Sequence, residues 1–165
     1  MDYKPLIHQV TKTFCSTVKL YWTTHAAHLN VEGQDFYELH KILEKQYEDI
    51  WESIDSTAEK IRQLDAYAPS SLEFIVYTGE QFEDCSKFPV HEMAHSLMIS
   101  QEKMTESINA SIQEAKKVGR EDITSYFGTR WEAHSKMRWM LRATAKRYNK
   151  ELDTTVDNTV NAADV

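Results

Sequence analysis

Punctuation is scarce in this chain of 165 residues: four glycines and three prolines are too few for the many tight turns of a strand-rich fold. Two cysteines, Cys15 and Cys85, cannot make a disulfide framework and point to a reducing compartment. No apolar run approaches the roughly 18 residues of a membrane span. The opening MDYKPLIHQVTK has neither an apolar core segment nor a small-residue cleavage site, so a cytoplasmic protein is expected. Positive charge is short as well, with 19 Lys and Arg against 26 Asp and Glu and a formal net charge of −7. No basic residue follows Lys150, while Glu151, Asp153, Asp157 and Asp164 do, so the terminal segment lacks the cations that neutralise phosphates. What remains, 41% hydrophobic residues in a chain of this length, is enough for one compact all-α domain.

Apolar periodicity divides the chain into four long helices. The first is expected over about 5–31, with Ile7, Val10, Phe14, Val18, Tyr21, His25 and either His28 or Leu29 near one face, and it ends near Gly33. The second is expected over about 35–65. Asp35 followed by Glu38 can form a capping box there, and nothing interrupts the run before Pro69. A connector containing Ala68-Pro69-Ser70-Ser71 follows, in which SLEFIVYT can form one short helix. Pro89 suits the first turn of a third long helix carrying Val90, Met93, Leu97, Met104, Ile108 and Ile112 to Gly119. The fourth, about 121–150, carries Ile123, Phe127, Trp131, His134, Leu141, Ala145 and Tyr148. Four long helices with one long connection between the second and third predict a ferritin-like four-helix bundle over residues 1–150, followed by an acidic, frayed tail over 151–165.

The second helix carries two distinct stripes. Phe36, Leu39, Leu43, Tyr47, Ile50, Ile54, Ile61 and Leu64 form an apolar one, which is the expected core face. His40, Glu44, Trp51, Asp55, Glu59 and Arg62 form another, centred roughly 120° away at about 100° per residue. Asp55 and Glu59, at i and i+4, leave the same side of the helix. Together with His28 and His40 they make a mixed nitrogen and oxygen set suited to iron or zinc. A Trp is a poor choice for a merely solvated face, so this second stripe reads as a surface covered by another subunit.

The run His28-Leu-Asn-Val-x-Gly-x-x-Phe-x-x-Leu-His40, then Asp55-x-x-x-Glu59, then Glu132-x-His134-x-Lys136-x-x-Trp139-Met-Leu-Arg-Ala143, resembles the Dps mini-ferritins over roughly residues 5–148. That resemblance implies a ferroxidase centre at a twofold interface, with His28 and His40 from one chain, Asp55 and Glu59 from its neighbour, and Glu44 helping to hold a second iron. It implies Fe²⁺ oxidised by hydrogen peroxide or dioxygen, with ferric oxide stored in a hollow dodecamer. Zinc is a possible non-physiological occupant. The family often has Trp directly after the first ligand histidine, where this chain has Leu29. Trp51, one turn before Asp55, then stands either as a nearby oxidisable ring or as interface packing, the latter favoured. At −7 per chain a twelve-subunit shell would carry roughly −84, so DNA binding is expected to be weak or absent. Iron entry would use pores near the junction of the third and fourth helices, where Glu114, Glu121 and Asp122 cluster. Lys116, Lys117 and Arg120 lie among them, so a self-neutralised turn is the competing reading.

A different chemistry is spelled by His91-Glu92-Met93-Ala94-His95, which has the HExxH form of zinc hydrolases. No neighbouring alternating segment offers a strand for a peptide substrate, so two partly satisfied surface histidines are the expected outcome. Glu92-x-x-His95 also matches half of an intrachain di-iron site, but no second copy exists elsewhere in the chain.

Overall fold

The computed structural model describes residues 2–146, which form five helices and no strand: α1 Lys4–Asn30, α2 Phe36–Arg62, α3 Leu72–Tyr77, α4 Val90–Lys117 and α5 Glu121–Lys146. The four long helices make the expected bundle. α1 packs along α2 and α4 along α5, α1 also lies against α4, and α2 touches α5 only sparingly. The boundary at residue 151 and the acidic tail lie outside the described residues, as does Tyr148.

Helix starts follow local chemistry, with one exception. Pro5 occupies the first turn of α1, and Ser71 caps the short α3 by accepting from the Phe74 N–H. Pro89 stands one residue before α4 rather than inside it. The exception is the capping box at Asp35. Its backbone is left-handed, with φ 63°, and its side chain makes no cap bond, because an N-cap residue must be extended for its oxygen to reach the next N–H groups. At the other end of the bundle Gly119, at φ +67°, closes α4, and the Arg120 N–H donates back to the Ala115 carbonyl.

Two apolar clusters fill the bundle. One joins Leu6, Val10, Phe14, Leu20, Ile50, Ile61, Met104, Ile108, Ile123 and Phe127. The other joins Ala27, Leu39, Leu43, Met93, Leu97 and Leu141 at the opposite end. Near the middle, polar side chains satisfy one another. The buried His134 donates from Nδ1 to Gln101 Oε1 at 2.7 Å and accepts at Nε2 from Arg130 at 3.4 Å. Arg130 is in turn paired with Asp49 at 2.6 Å. Burial, with the Arg130 charge second, pushes the His134 pKa down to about 3, so the ring is neutral.

The expected core faces are mostly right, and their errors have causes. On α2, Leu39, Leu43, Ile50 and Ile61 are buried and Tyr47 and Ile54 half-buried, and Leu64, just past its end, is buried as well. Phe36 is 41% exposed, because the first residue of the helix overhangs the end of the bundle. On α5, Trp131 is 46% exposed, and Arg130 and Met137 take the inward places instead. α1 buries two faces rather than one. Leu6, Thr13, Leu20 and Thr24 are covered as well, with the Thr13 hydroxyl bridging to Ser107 and Ser111 of α4 at 2.9 Å.

The long connection between α2 and α4 is strapped across α1. Ser16 Oγ accepts from the Glu80 N–H at 2.9 Å, Lys12 pairs with Glu80 at 2.8 Å, and Lys19 donates to the Val76 carbonyl. Gly79, at φ +83°, lies so close to α1 that a Cβ there would stand 2.6 Å from Ser16 Oγ and 2.8 Å from the Lys12 carbonyl oxygen.

Candidate metal centre

Where α1 ends and α2 begins, His28 and His40 clasp each other. The rings stack with centroids 3.8 Å apart at 22°. His28 Nδ1 lies 3.0 Å from the His40 carbonyl oxygen, and His40 Nδ1 lies 3.0 Å from the His28 carbonyl oxygen. A carbonyl can only accept, so both Nδ1 atoms carry a proton, and in the neutral rings the lone pairs are on Nε2. That tautomer is what a metal-binding imidazole needs, with its other nitrogen already held by the backbone. His28 is buried and His40 half-buried. The pair also ties the end of one helix to the start of the next.

Glu44 stands one turn beyond His40. Its carboxylate is drawn by Lys41 at 2.6 Å, and that hydrogen bond, aided by the neighbouring imidazoles, holds its pKa below the usual carboxylate range. Asp55 and Glu59 are exposed on the same helix. Fifteen residues separate His40 from Asp55, which at 1.5 Å per residue is about 22 Å along α2. The two histidines and the two carboxylates therefore cannot hold one ion within one chain. Among the described residues no group of three or more His, Cys, Asp or Glu encloses a metal position.

A band of aromatic rings joins the two ends. His25 stacks on Tyr47 at 4.1 Å, and its Nδ1 shares a hydrogen bond with the Tyr21 hydroxyl at 3.1 Å. Tyr47 stands edge-on to His28 at 5.0 Å, and Tyr21 lies 5.0 Å from Trp51. Trp51 is 59% and Trp22 62% exposed, and Leu29 is exposed as well. The sequence puts His25 on the apolar stripe and names no partner for it. The i, i+4 spacing of Tyr21 and His25 was the available signal.

The remaining candidates lie elsewhere. His91, Glu92 and His95 occupy the first turns of α4, well away from the clasp in sequence, and no strand among the described residues lies beside them. The interior of the bundle holds Gln46, Gln101 and His134, and no Asp or Glu among the described residues is buried, so a carboxylate-rich intrachain site is not formed there. Cys15 and Cys85 are free and buried, and burial pushes both thiols up to about 11, which keeps them protonated at neutral pH. At the junction of α4 and α5, Lys117 pairs with Glu114 at 2.6 Å, and Arg120 grips Asp122 through two bonds at 2.9 and 2.7 Å. The Arg120 guanidinium holds Asp122 down at about 2, so that acidic cluster is largely matched by its own cations.

A family model described as a ferritin-like domain matches residues 7–150. The DNA protection during starvation protein of Helicobacter pylori (strain J99) is 27% identical over 127 residues, covering 76% of this chain and 88% of its own. Among solved structures, Dps from Thermosynechococcus elongatus superposes with a TM-score of 0.80 at 18% identity, over 84% of this chain and 88% of its own. The Dps protein of Vibrio cholerae O1, described as a member of a broad superfamily of ferritin-like diiron-carboxylate proteins, superposes at 0.77 with 22% identity, over 84% and 87%. At these identities the structural likeness is one of fold. No helix among the described residues is long and apolar enough to cross a membrane.

Proposed function

The chain belongs to the ferritin-like domain family, with Dps proteins as its structural neighbours, and from that premise we propose that it is a cytoplasmic mini-ferritin. In this reading it oxidises Fe²⁺ at sites shared between two subunits and stores the ferric product in a hollow dodecamer, guarding against oxidative stress. The observation that carries it is the reciprocal His28 and His40 clasp, which presets two imidazoles as metal-ready donors. The separation of these donors from Asp55 and Glu59 supports a shared site. A twofold axis would set the clasp of one subunit against Asp55 and Glu59 of the partner subunit, and the same operation would make a second, equivalent site. The exposed Trp22, Leu29 and Trp51 are apolar surface that such an interface would cover.

Iron here is substrate. Carboxylates are hard and anionic and favour Fe³⁺, whereas neutral imidazole keeps affinity for Fe²⁺, so the mixed set eases the loss of an electron. Glu44, ionised through Lys41, would bring a second iron beside the clasp in this reading. Two Fe²⁺ supply the two electrons that convert one hydrogen peroxide and two protons into two waters, leaving two Fe³⁺ and releasing no hydroxyl radical. Dioxygen is the slower oxidant in this reading.

Subunit mixing tests the shared site. Neither a His28→Ala/His40→Ala variant nor an Asp55→Ala/Glu59→Ala variant should oxidise Fe²⁺ rapidly alone. Co-refolded together they should regain activity, because each mixed dimer rebuilds one intact site. No recovery in mixed dimers verified by mass would sink the intersubunit assignment. Anaerobic Fe²⁺ titration followed by separate peroxide and dioxygen pulses, with particle size measured on the same sample, tests the oxidant and the shell.

A further inference from the structure

Two imidazoles at the start of α4 are not among the ligands assigned in that iron reading. His91 and His95 are one helical turn apart, so their side chains leave the same face with Cβ atoms about 6 Å apart. They line a cleft of about 370 Å³ together with Glu83, Phe88, Glu92 and Ala145. Glu83 reaches this cleft from the connection preceding α4. The Ser96 hydroxyl donates to its Oε2 at 2.8 Å, which orients the carboxylate. Glu92 Oε1 lies 3.7 Å from His91 Nε2.

These groups do not make a closed cage, since no three potential ligands converge among the described residues. They suit an open chelate. We propose that His91 and His95 bind a borderline divalent ion of the copper(II), nickel(II) and zinc(II) class, with Glu83 and Glu92 accepting hydrogen bonds from the waters that complete its coordination. Imidazole pairs prefer these ions to Fe²⁺, with copper(II) bound most tightly. The positive end of the helix dipole opposes a cation here, and the two carboxylates offset that field. Outer carboxylates of this kind order bound water and raise affinity. Two protein ligands with water completing the sphere separate the proposed site from structural zinc sites, and no third ligand among the described residues joins them as in zinc hydrolases. The site is independent of the iron reading.

Copper(II) titration of the full-length assembly, followed by electron paramagnetic resonance, tests this. Beyond any copper taken up by the His28 and His40 clasp, the parent should bind one further equivalent per chain with hyperfine coupling to two imidazole nitrogens. His91→Ala/His95→Ala should lose that equivalent while keeping its helical circular dichroism and its rate of Fe²⁺ oxidation. Glu83→Gln should retain the two-nitrogen signal but bind about tenfold more weakly. Zinc(II) should raise the melting temperature of the parent by more than that of the double variant, which keeps only the His28 and His40 clasp as an imidazole pair for the ion. An unchanged copper stoichiometry and spectrum in His91→Ala/His95→Ala would overturn the site. Undiminished affinity in Glu83→Gln would reduce it to adventitious binding by an exposed histidine pair, and would overturn it equally.

Discussion

A histidine acts in this protein according to which of its nitrogens is already engaged. His28 and His40 have Nδ1 bound to backbone carbonyls and Nε2 open, whereas His134 has both nitrogens committed, to Gln101 and Arg130. His134 is therefore a structural residue with an acid liability. Its pKa in the folded protein, about 3, lies below the ordinary histidine value of about 6.5, so the unfolded chain binds the proton first. Stability should thus be fully present above the unfolded pKa and should fall as pH drops from about 6.5 towards 3, by up to about 1.4 kcal/mol per pH unit from this group. His134→Gln, which can keep a hydrogen bond to Gln101 but cannot titrate, should be less stable than the parent at pH 7 and should lose less between pH 7 and about 4.5. Urea unfolding of both proteins at the two pH values checks this, and parallel losses would remove His134 from the acid response.

Among the elements, the connection from α2 to α4 depends on one close approach. Gly79 has a left-handed backbone, and a Cβ there would meet the main chain of α1 at Lys12 and Ser16. Backbone cannot yield as a flexible side chain can. Gly79→Ala should therefore destabilise the protein by about 1–3 kcal/mol, through strain and through loss of the Glu80 to Ser16 hydrogen bond. The urea midpoint reads this directly. A shift below measurement error would mean that the strap can move off α1 without cost. α3 itself was legible in SLEFIVYT, because a Ser cap precedes its turn. The close approach was not, since nothing in the local sequence says which helix the loop must touch.

For the whole molecule, charge decides what an assembled shell can bind. The net charge of −7 per chain, and an α4 to α5 turn in which Glu114 holds Lys117 and Asp122 holds Arg120, leave little basic surface there for phosphate. The assembly is expected not to retard plasmid DNA at physiological salt near neutral pH without divalent metal. Stoichiometric retardation under those conditions, weakening steeply with added salt, would show that a cationic surface forms only on assembly.

The helical architecture was readable from the chain alone, because the stripes of α1, α2, α4 and α5 are local patterns set by a period of about 3.6 residues. The common side of α2 shared by the candidate ligands Asp55 and Glu59 was readable for the same reason, since their spacing fixes it whatever they pack against. Only the tertiary structure decided the rest. That Trp131 faces outward while Arg130 turns in depends on Asp49 of α2 and His134 being present to satisfy a guanidinium. That Asp35 fails as a cap depends on the left-handed turn the chain makes to bring α2 back along α1. The tautomers of His28 and His40 required two residues twelve positions apart to meet backbone to side chain in both directions. Periodicity specifies the face of a helix on which a residue lies, but the partner that holds each nitrogen is supplied by another element, and the protonation that suits this clasp to a metal arises only when the two helices meet.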